Sequence, residues 1–316
     1  MVRWQWWIGG AVGGLAVLSQ AVVWQHARAM TTFVPAGQRT PPPEELSLAD
    51  KLRTLVFGVT IPRPRATSTP ADHGLGGHYV LLDGPVGPLS TLEVPGGPRT
   101  VVVVHGYAAE HSQLFATIHR LHGLGYTVAA PDLRGVGASD GHTTTLGFGE
   151  ADDVAVVARY VGSTLGDPQP VLYGFSMGAA AIIGAAGRLG VPTSAVVAEA
   201  SFDRLHTTVG HRFEAMGLPA RGPADLLLFW GGLQSGLDPY RIAPVDDARG
   251  VGAPALVVGG TADARVRPEE TRALAAAFPV GRAVLVEGFP HAELARSRPE
   301  TWDQVVAPFL LEVAAP

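Results

Sequence analysis

From about residue 78 onward, short apolar runs alternate with longer stretches of helical periodicity. The runs Tyr79–Leu82, Val101–Val104, Val128–Ala130, Val171–Tyr173, Val196–Ala198, Ala255–Val258 and Ala283–Val286 predict strands. They are continuous rather than alternating with polar residues, the pattern of strands buried on both faces. Between them, helical patterns fall near Gln113–Leu124, Glu150–Val161, Met177–Leu189, Glu269–Ala277 and Trp302–Val313. Such alternation predicts an α/β fold with a mostly parallel central sheet and helices on both faces. Chemistry in sheets of this kind collects beyond the carboxyl ends of the strands. Residues 201–250, between the strands at Val196 and Ala255, predict a small helical lid over that edge. Within it, Leu226–Trp230 is an apolar patch that faces an acyl chain or lipid surface, or else packs on the domain.

The chain before residue 78 reads differently. From Trp4 to Ala27 there is no Asp, Glu, Lys or Arg, and tryptophans stand at both ends of the run Trp4–Trp24. As a helix that run would reach about 31 Å, against a bilayer core of roughly 30 Å. Residues 1–29 therefore predict a single-pass transmembrane helix that puts the protein at a membrane. A cleaved signal peptide ending at Ala27-Arg28-Ala29, giving a secreted protein, is one alternative, and a buried core helix is another. Residues 30–72 read as a proline-rich tether, stiffened by Pro41-Pro42-Pro43. Inside it, Glu44–Phe57 predicts an amphipathic helix with Leu48, Leu52, Leu55 and Val56 on its apolar face, resting on the domain or on a membrane. The main α/β domain then spans 73–316, and a chain starting near Thr31 is expected to be soluble and to fold without the anchor.

Composition narrows the chemistry. With 316 residues, 47% hydrophobic and 16% charged, the chain has ample material for a core and is not disordered. A net charge of −5 with scattered basic residues gives no nucleic-acid footprint. Cys 0 excludes disulfides, cysteine–zinc sites, iron–sulfur clusters and a cysteine nucleophile. His119 and His122 share a helical face but lack partner ligands, so neither a metal nor another cofactor is expected. Nothing in the pattern specifies an oligomeric state.

One constellation carries chemistry. Gly174-Phe175-Ser176-Met177-Gly178 follows a predicted strand and opens a predicted helix. That is the setting of a nucleophile elbow, where two glycines permit a sharp turn that exposes the serine hydroxyl. A serine nucleophile needs a base, and the base an orienting acid. Asp263 and His291 each follow a later strand, giving the order Ser176, Asp263, His291 along the chain. Glu199 and Asp203, after the strand at Val196, are alternative acids. Oxyanion donors are expected from the backbone N–H groups of Met177 and of Tyr107, the latter in His105-Gly106-Tyr107 after an early strand. His105 itself reads as a structural, hydrogen-bonded histidine.

Taken together, these motifs resemble the α/β-hydrolase superfamily, in particular its small membrane-anchored serine hydrolases of the abhydrolase-domain type. The resemblance covers roughly residues 78–312 and includes Asp132–Gly141, which is similar to a site-shaping loop of that family; no chemistry is assigned to Asp132 or Arg134. It implies the α/β-hydrolase fold and a Ser–His–Asp acyl-enzyme mechanism on a small-molecule carboxylic ester. A lipid-like or acylglycerol ester suits a membrane-tethered enzyme. Thioester or peptide hydrolysis by the same triad, or a non-catalytic tethered scaffold, are the alternatives. Phe289-Pro290 before His291 departs from the family, where a glycine often stands.

Overall fold

The four valines Val101–Val104 show how the layers arise. Val101 and Val103 point into one apolar cluster, and Val102 and Val104 into another on the opposite side. A strand presents successive side chains to opposite faces, so a run with no polar position must be covered twice. In the computed structural model, which describes residues 19–42 and 45–314, eight strands form one sheet that is covered on both faces at its centre, while the edge run Tyr79–Leu82 keeps Tyr79 and Leu81 exposed. They are β1 (His78–Gly84), β2 (Gly87–Val94), β3 (Thr100–Val104), β4 (Thr127–Pro131), β5 (Val171–Phe175), β6 (Ala195–Glu199), β7 (Ala255–Gly260) and β8 (Gly281–Val286). Their spatial order is β1-β2-β4-β3-β5-β6-β7-β8, with β1–β2 and β2–β4 antiparallel and the rest parallel.

Helices α3 (Phe115–Gly123) and α11 (Pro299–Ala314) cover one face through Phe115, Ile118, Leu121, Trp302, Val306 and Leu310. On the other face lie α4 (Glu150–Tyr160), α5 (Met177–Ile183) and α9 (Pro268–Ala277). Each fully buried valine or leucine in these layers stabilises the fold by on the order of 1.5–3 kcal/mol. Strand β2 escapes the hydrophobic pattern because it buries Ser90, Thr91 and Glu93. Two of these have specific neighbours: Ser90 N–H donates to Ser139 Oγ (2.8 Å) and Glu93 accepts from Tyr160 Oη (2.7 Å). The stretch between β6 and β7 folds into α6 (Leu205–Ala215), α7 (Pro223–Ser235) and the short α8 (Pro244–Asp247), while α10 (Leu294–Ser297) precedes α11.

The N-terminal region departs most from expectation. Residues 19–31 form a helix, α1, laid against α7. Ala27 is buried there, Trp230 Nε1 donates to Gln20 Oε1 (2.9 Å), and Gln234 Nε2 donates to Trp24 O (2.8 Å). Among the described residues no helix is long and apolar enough to cross a membrane, and the part of the expected span before residue 19 lies outside them. Nor does the stretch read as a tether hang free. Phe33 and Ile61 are buried beside Ala108 and Val136, Thr32 bridges Thr143, and Val34 bridges Pro62. Arg63 donates to the carbonyls of Val136, Gly137, Ser139 and Gly141. These anchors are isolated residues among prolines and polar positions, too sparse to form a periodic pattern.

Helix α2 (Leu48–Phe57) begins after the two glutamates because Ser47 Oγ caps it, accepting from Asp50 N–H (3.2 Å). Its contacts join it to both neighbours: His26 Nε2 bonds Leu55 O (3.1 Å) and Lys51 Nζ donates to Ala215 O (2.7 Å). Leu48, Leu52 and Val56 nonetheless remain exposed. Because α1 buries apolar surface on α7, a chain starting at Thr32 is expected to melt several degrees lower than the full chain and to bind a hydrophobic dye. An unchanged melting curve would make the segment separable after all.

Candidate active site

At the end of β5 the backbone turns sharply into α5, and Ser176 at the corner has φ 55° and ψ −115°. Positive φ is unfavourable for a residue with a side chain, so the surroundings must enforce it. Ser176 N–H donates to Glu199 O (2.8 Å), extending the β5–β6 pairing past the strand end. Packing dictates the two flanking glycines. A Cβ on Gly174 would fall 2.5 Å from Gly178 O, and one on Gly178 would fall 2.3 Å from Val104 O. The turn is therefore closed by contacts that no larger residue permits.

Two loops bring side chains to this corner. His291, after β8, places Nε2 3.0 Å from Ser176 Oγ and Nδ1 2.7 Å from Asp263 Oδ2. Asp263, after β7, is buried, and its Oδ1 accepts from the N–H groups of Arg265 (2.8 Å) and Val266 (2.9 Å). With both Oδ1 bonds fixing the carboxylate, an Nδ1–H donated to Oδ2 leaves Nε2 free to accept the serine proton. The loops after β7 and β8 touch directly: Ala262 N–H donates to Phe289 O (3.1 Å), and a Cβ on Gly260 would fall 1.9 Å from that oxygen. Phe289 is buried in the core, so Phe289-Pro290 anchors the loop that carries His291.

The imidazole bonds Asp263, and the alternative acids are engaged elsewhere. Glu199 Oε2 accepts from Tyr173 Oη (2.6 Å), Oε1 accepts from Leu294 N–H, and Tyr173 Oη in turn accepts from Trp302 Nε1 (3.0 Å). Burial pushes the Glu199 carboxyl up to about 8, and Glu293 nearby adds to the shift. This carboxyl is a buried strut between β5, β6, α10 and α11. Asp203 receives Val245 N–H on its backbone oxygen, and its Oδ1 is buried without a hydrogen bond.

The expected oxyanion residues stand beside the serine. The β3–β5 register pairs Val104 with Gly174, so residues 105–107 leave the sheet next to 175–177. Met177 N–H is at the first turn of α5, where helix donors lack intrahelical partners. Tyr107 and Ser176 border one cavity of about 670 Å³, and the Tyr107 hydroxyl, pushed up to about 12 by burial, donates to Met30 O (2.5 Å). His105 accepts Leu133 N–H at Nε2 (3.0 Å) and bonds Gly106 O through Nδ1 (2.8 Å). Burial lowers its pKa, which suits a neutral structural imidazole.

Sequence reasoning missed the far wall of the cavity. Val22, Val23 and His26 of α1, Leu55 of α2, and Val59 and Ile61 face Ser176 and His291 across it. Val209 and Phe213 of α6 and Leu227 of α7 complete the side, whereas Phe229 of the apolar patch is exposed. No local pattern announces that a proline-rich stretch will fold back over a site.

One further cluster has the composition of a metal centre. Among the described residues, Glu110, His111 and Asp132 bring ligand atoms within 4.8 Å of one another. Their atoms are already engaged. Asp132 Oδ1 accepts from His111 N–H (3.2 Å) and Nδ1 (2.7 Å), and Oδ2 from Ala138 N–H (3.0 Å). Glu110 accepts from Ser112 N–H (2.8 Å) and Oγ (2.5 Å), and His111 Nε2 meets Tyr79 Oη (3.0 Å). Asp132 thus ties two loops together. Arg134 ties the loop after β4 to α4 through two side-chain bonds to Asp153 (2.9 and 2.7 Å).

Burial of Glu199 predicts a pH effect on stability. Its folded pKa is raised above the ordinary value, so the folded state binds the extra proton. The stabilisation is complete below the ordinary carboxyl range and is lost as pH rises towards about 8. The melting temperature is expected to fall from pH 5 to pH 8 in the wild type and to fall less in Glu199→Gln. Equal slopes would show that Glu199 is charged throughout.

Residues 99–214 match a family model described as the alpha/beta hydrolase fold. No curated protein matches the chain. Among solved structures, the Pyrococcus furiosus esterase Pf2001 is 23% identical with a TM-score of 0.65, over 79% of this chain and 98% of the esterase. Est1E from Butyrivibrio proteoclasticus with bound ferulic acid is 18% identical with a TM-score of 0.61, over 75% and 100% of the two chains. A malate-bound thermophilic esterase from Thermogutta terrifontis is 20% identical with a TM-score of 0.57, again over 75% and 100%. At such identities the likeness is one of fold. Sheet order, elbow and matched segment together show that this chain has the α/β-hydrolase fold.

Proposed function

We propose that the protein is a serine hydrolase of carboxylic esters with lipid-like acyl chains. One observation carries the reading: Ser176 Oγ, His291 and Asp263 form a hydrogen-bonded relay of 3.0 and 2.7 Å at a strained corner that opens on an apolar-walled cavity. Ser176 Oγ attacks the ester carbonyl as His291 Nε2 takes its proton. Asp263 holds the imidazole in the required tautomer and stabilises the cation that forms. The N–H groups of Met177 and Tyr107 receive the oxyanion. His291 then protonates the departing alcohol, leaving an acyl group on Ser176. Water, deprotonated by the same imidazole, attacks that acyl-enzyme, and the carboxylic acid leaves as Ser176 is restored.

Cavity shape supports the choice of substrate. About 670 Å³, with Val22, Val23, Leu55, Val59 and Ile61 on one wall and Arg39, Arg212 and Arg265 among the polar lining, supports a hydrocarbon acyl chain lying along the apolar wall. The esterases named above share the fold, which fits ester chemistry without fixing the substrate.

Substitution tests the assignment. Ser176→Ala is expected to lower turnover of p-nitrophenyl esters by a factor of about 10⁴ or more with the melting temperature preserved. Asp263→Asn is expected to lose about 10⁴ in kcat through the wrong tautomer, while Glu199→Gln stays within about tenfold of wild type. Turnover of Ser176→Ala near the wild-type rate would reject the nucleophile, and the reverse ranking of the two acids would exchange their roles. Across a chain-length series, kcat/KM is expected to rise from acetate to medium-chain esters; a maximum at acetate would reject the lipid-like substrate.

A further inference from the structure

The loop that supplies Tyr107 is held from outside the matched hydrolase segment. Tyr107 Oη donates to the carbonyl of Met30 (2.5 Å), near the carboxyl end of α1. At the next residue, the carbonyl of Ala108 accepts from Arg39 Nη1 (3.0 Å), a partner 69 residues away in sequence. Phe33 packs tilted against the Tyr107 ring with centroids 6.5 Å apart, and with Ile61 it buries Ala108.

These contacts converge on a strained residue. Ala108 has φ 51°, in the left-handed region that alanine seldom occupies, and is 2% exposed. Such a conformation persists only when neighbouring contacts enforce it. The methyl group is fixed by packing and the carbonyl by the guanidinium. Releasing the carbonyl lets Ala108 relax to negative φ, which rotates the adjoining peptides and shifts Tyr107. A displaced donor is felt in the transition state, where the oxyanion exists, more than in the bound substrate.

We propose that Arg39 is a positioning residue for the oxyanion site, locking the Tyr107–Ala108 turn through the Ala108 carbonyl while the Tyr107 hydroxyl pins the same turn to Met30. The role rests on the serine-hydrolase reading and on Tyr107 N–H as an oxyanion donor. It makes the segment before β1 part of the catalytic apparatus rather than a spacer. Arg39 also borders the cavity, so direct contact with an anionic substrate is the competing role.

The full-length chain and its Arg39→Ala, Arg39→Lys and Tyr107→Phe variants separate these roles on a neutral short-chain p-nitrophenyl ester. Inhibition by an alkyl trifluoromethyl ketone, whose tetrahedral adduct places an oxyanion in the same site, supplies the second readout. Arg39→Ala is expected to lower kcat by about tenfold while KM changes by less than about twofold and the melting temperature holds. The inhibition constant for the ketone should rise by the same factor as kcat/KM falls. Lysine at position 39 keeps a donor for the Ala108 carbonyl and should restore most of kcat, and Tyr107→Phe should show a loss of the same type. An unchanged kcat in Arg39→Ala, or a defect carried by KM with the ketone constant unmoved, overturns the positioning role. A wild-type chain that neither turns over esters nor reacts with a fluorophosphonate overturns the hydrolase reading first, and the positioning role with it.

Discussion

The close approach of α5 to β3 at Gly178 is the constraint on which the site depends. It leaves no room for a Cβ between that residue and the carbonyls of Val104 and His105, and Gly174 is equally tight against Gly178. Those contacts hold Ser176 at positive φ with its amide bonded to Glu199 O. The hydroxyl is then presented beyond the sheet rather than along it. Parallel pairing of β5 through β8 sets the loops carrying Asp263 and His291 at the same edge. The Ala262–Phe289 bond joins those two loops, so the relay depends on sheet register as much as on its own hydrogen bonds.

Around that edge the protein completes its site from distant parts of the chain. Helix α6 and α7 form one wall of the cavity, and α1 with α2 forms another. The Glu199 network performs a different task with similar chemistry: a carboxyl one strand away from the relay serves packing because Tyr173, Trp302 and Leu294 surround it. Two acids from neighbouring strands thus take separate roles. Asp263 is held by backbone donors and faces the imidazole, whereas Glu199 is sealed among helices.

Much of the fold was legible because parallel strands covered on both faces leave unbroken apolar runs, as at Val101–Val104 and Val196–Ala198. The arrangement at the candidate site was legible because Gly174, Ser176 and Gly178 answer to steric demands that few other residues meet, and because Asp263 and His291 follow strands in order. Strand β2 was hidden by its buried Ser90, Thr91 and Glu93, whose partners are distant in sequence. The N-terminal wall was hidden for the same reason. Phe33, Ile61 and Arg63 act singly, through contacts with residues 108–141, and no periodicity marks them. Helix α2 shows the limit of amphipathic patterns: Leu55 turns to the cavity while Leu48, Leu52 and Val56 stay exposed. The pattern located a helix without identifying the face that is covered.

The central claim is that the strained corner delivers an activated serine. Mass mapping of the proteolysed full-length chain after reaction with a fluorophosphonate tests it directly. One adduct is expected, on the peptide containing Ser176, formed rapidly in the wild type and far more slowly in His291→Ala. An adduct on another residue, or a rate at Ser176 that does not depend on His291, would contradict it.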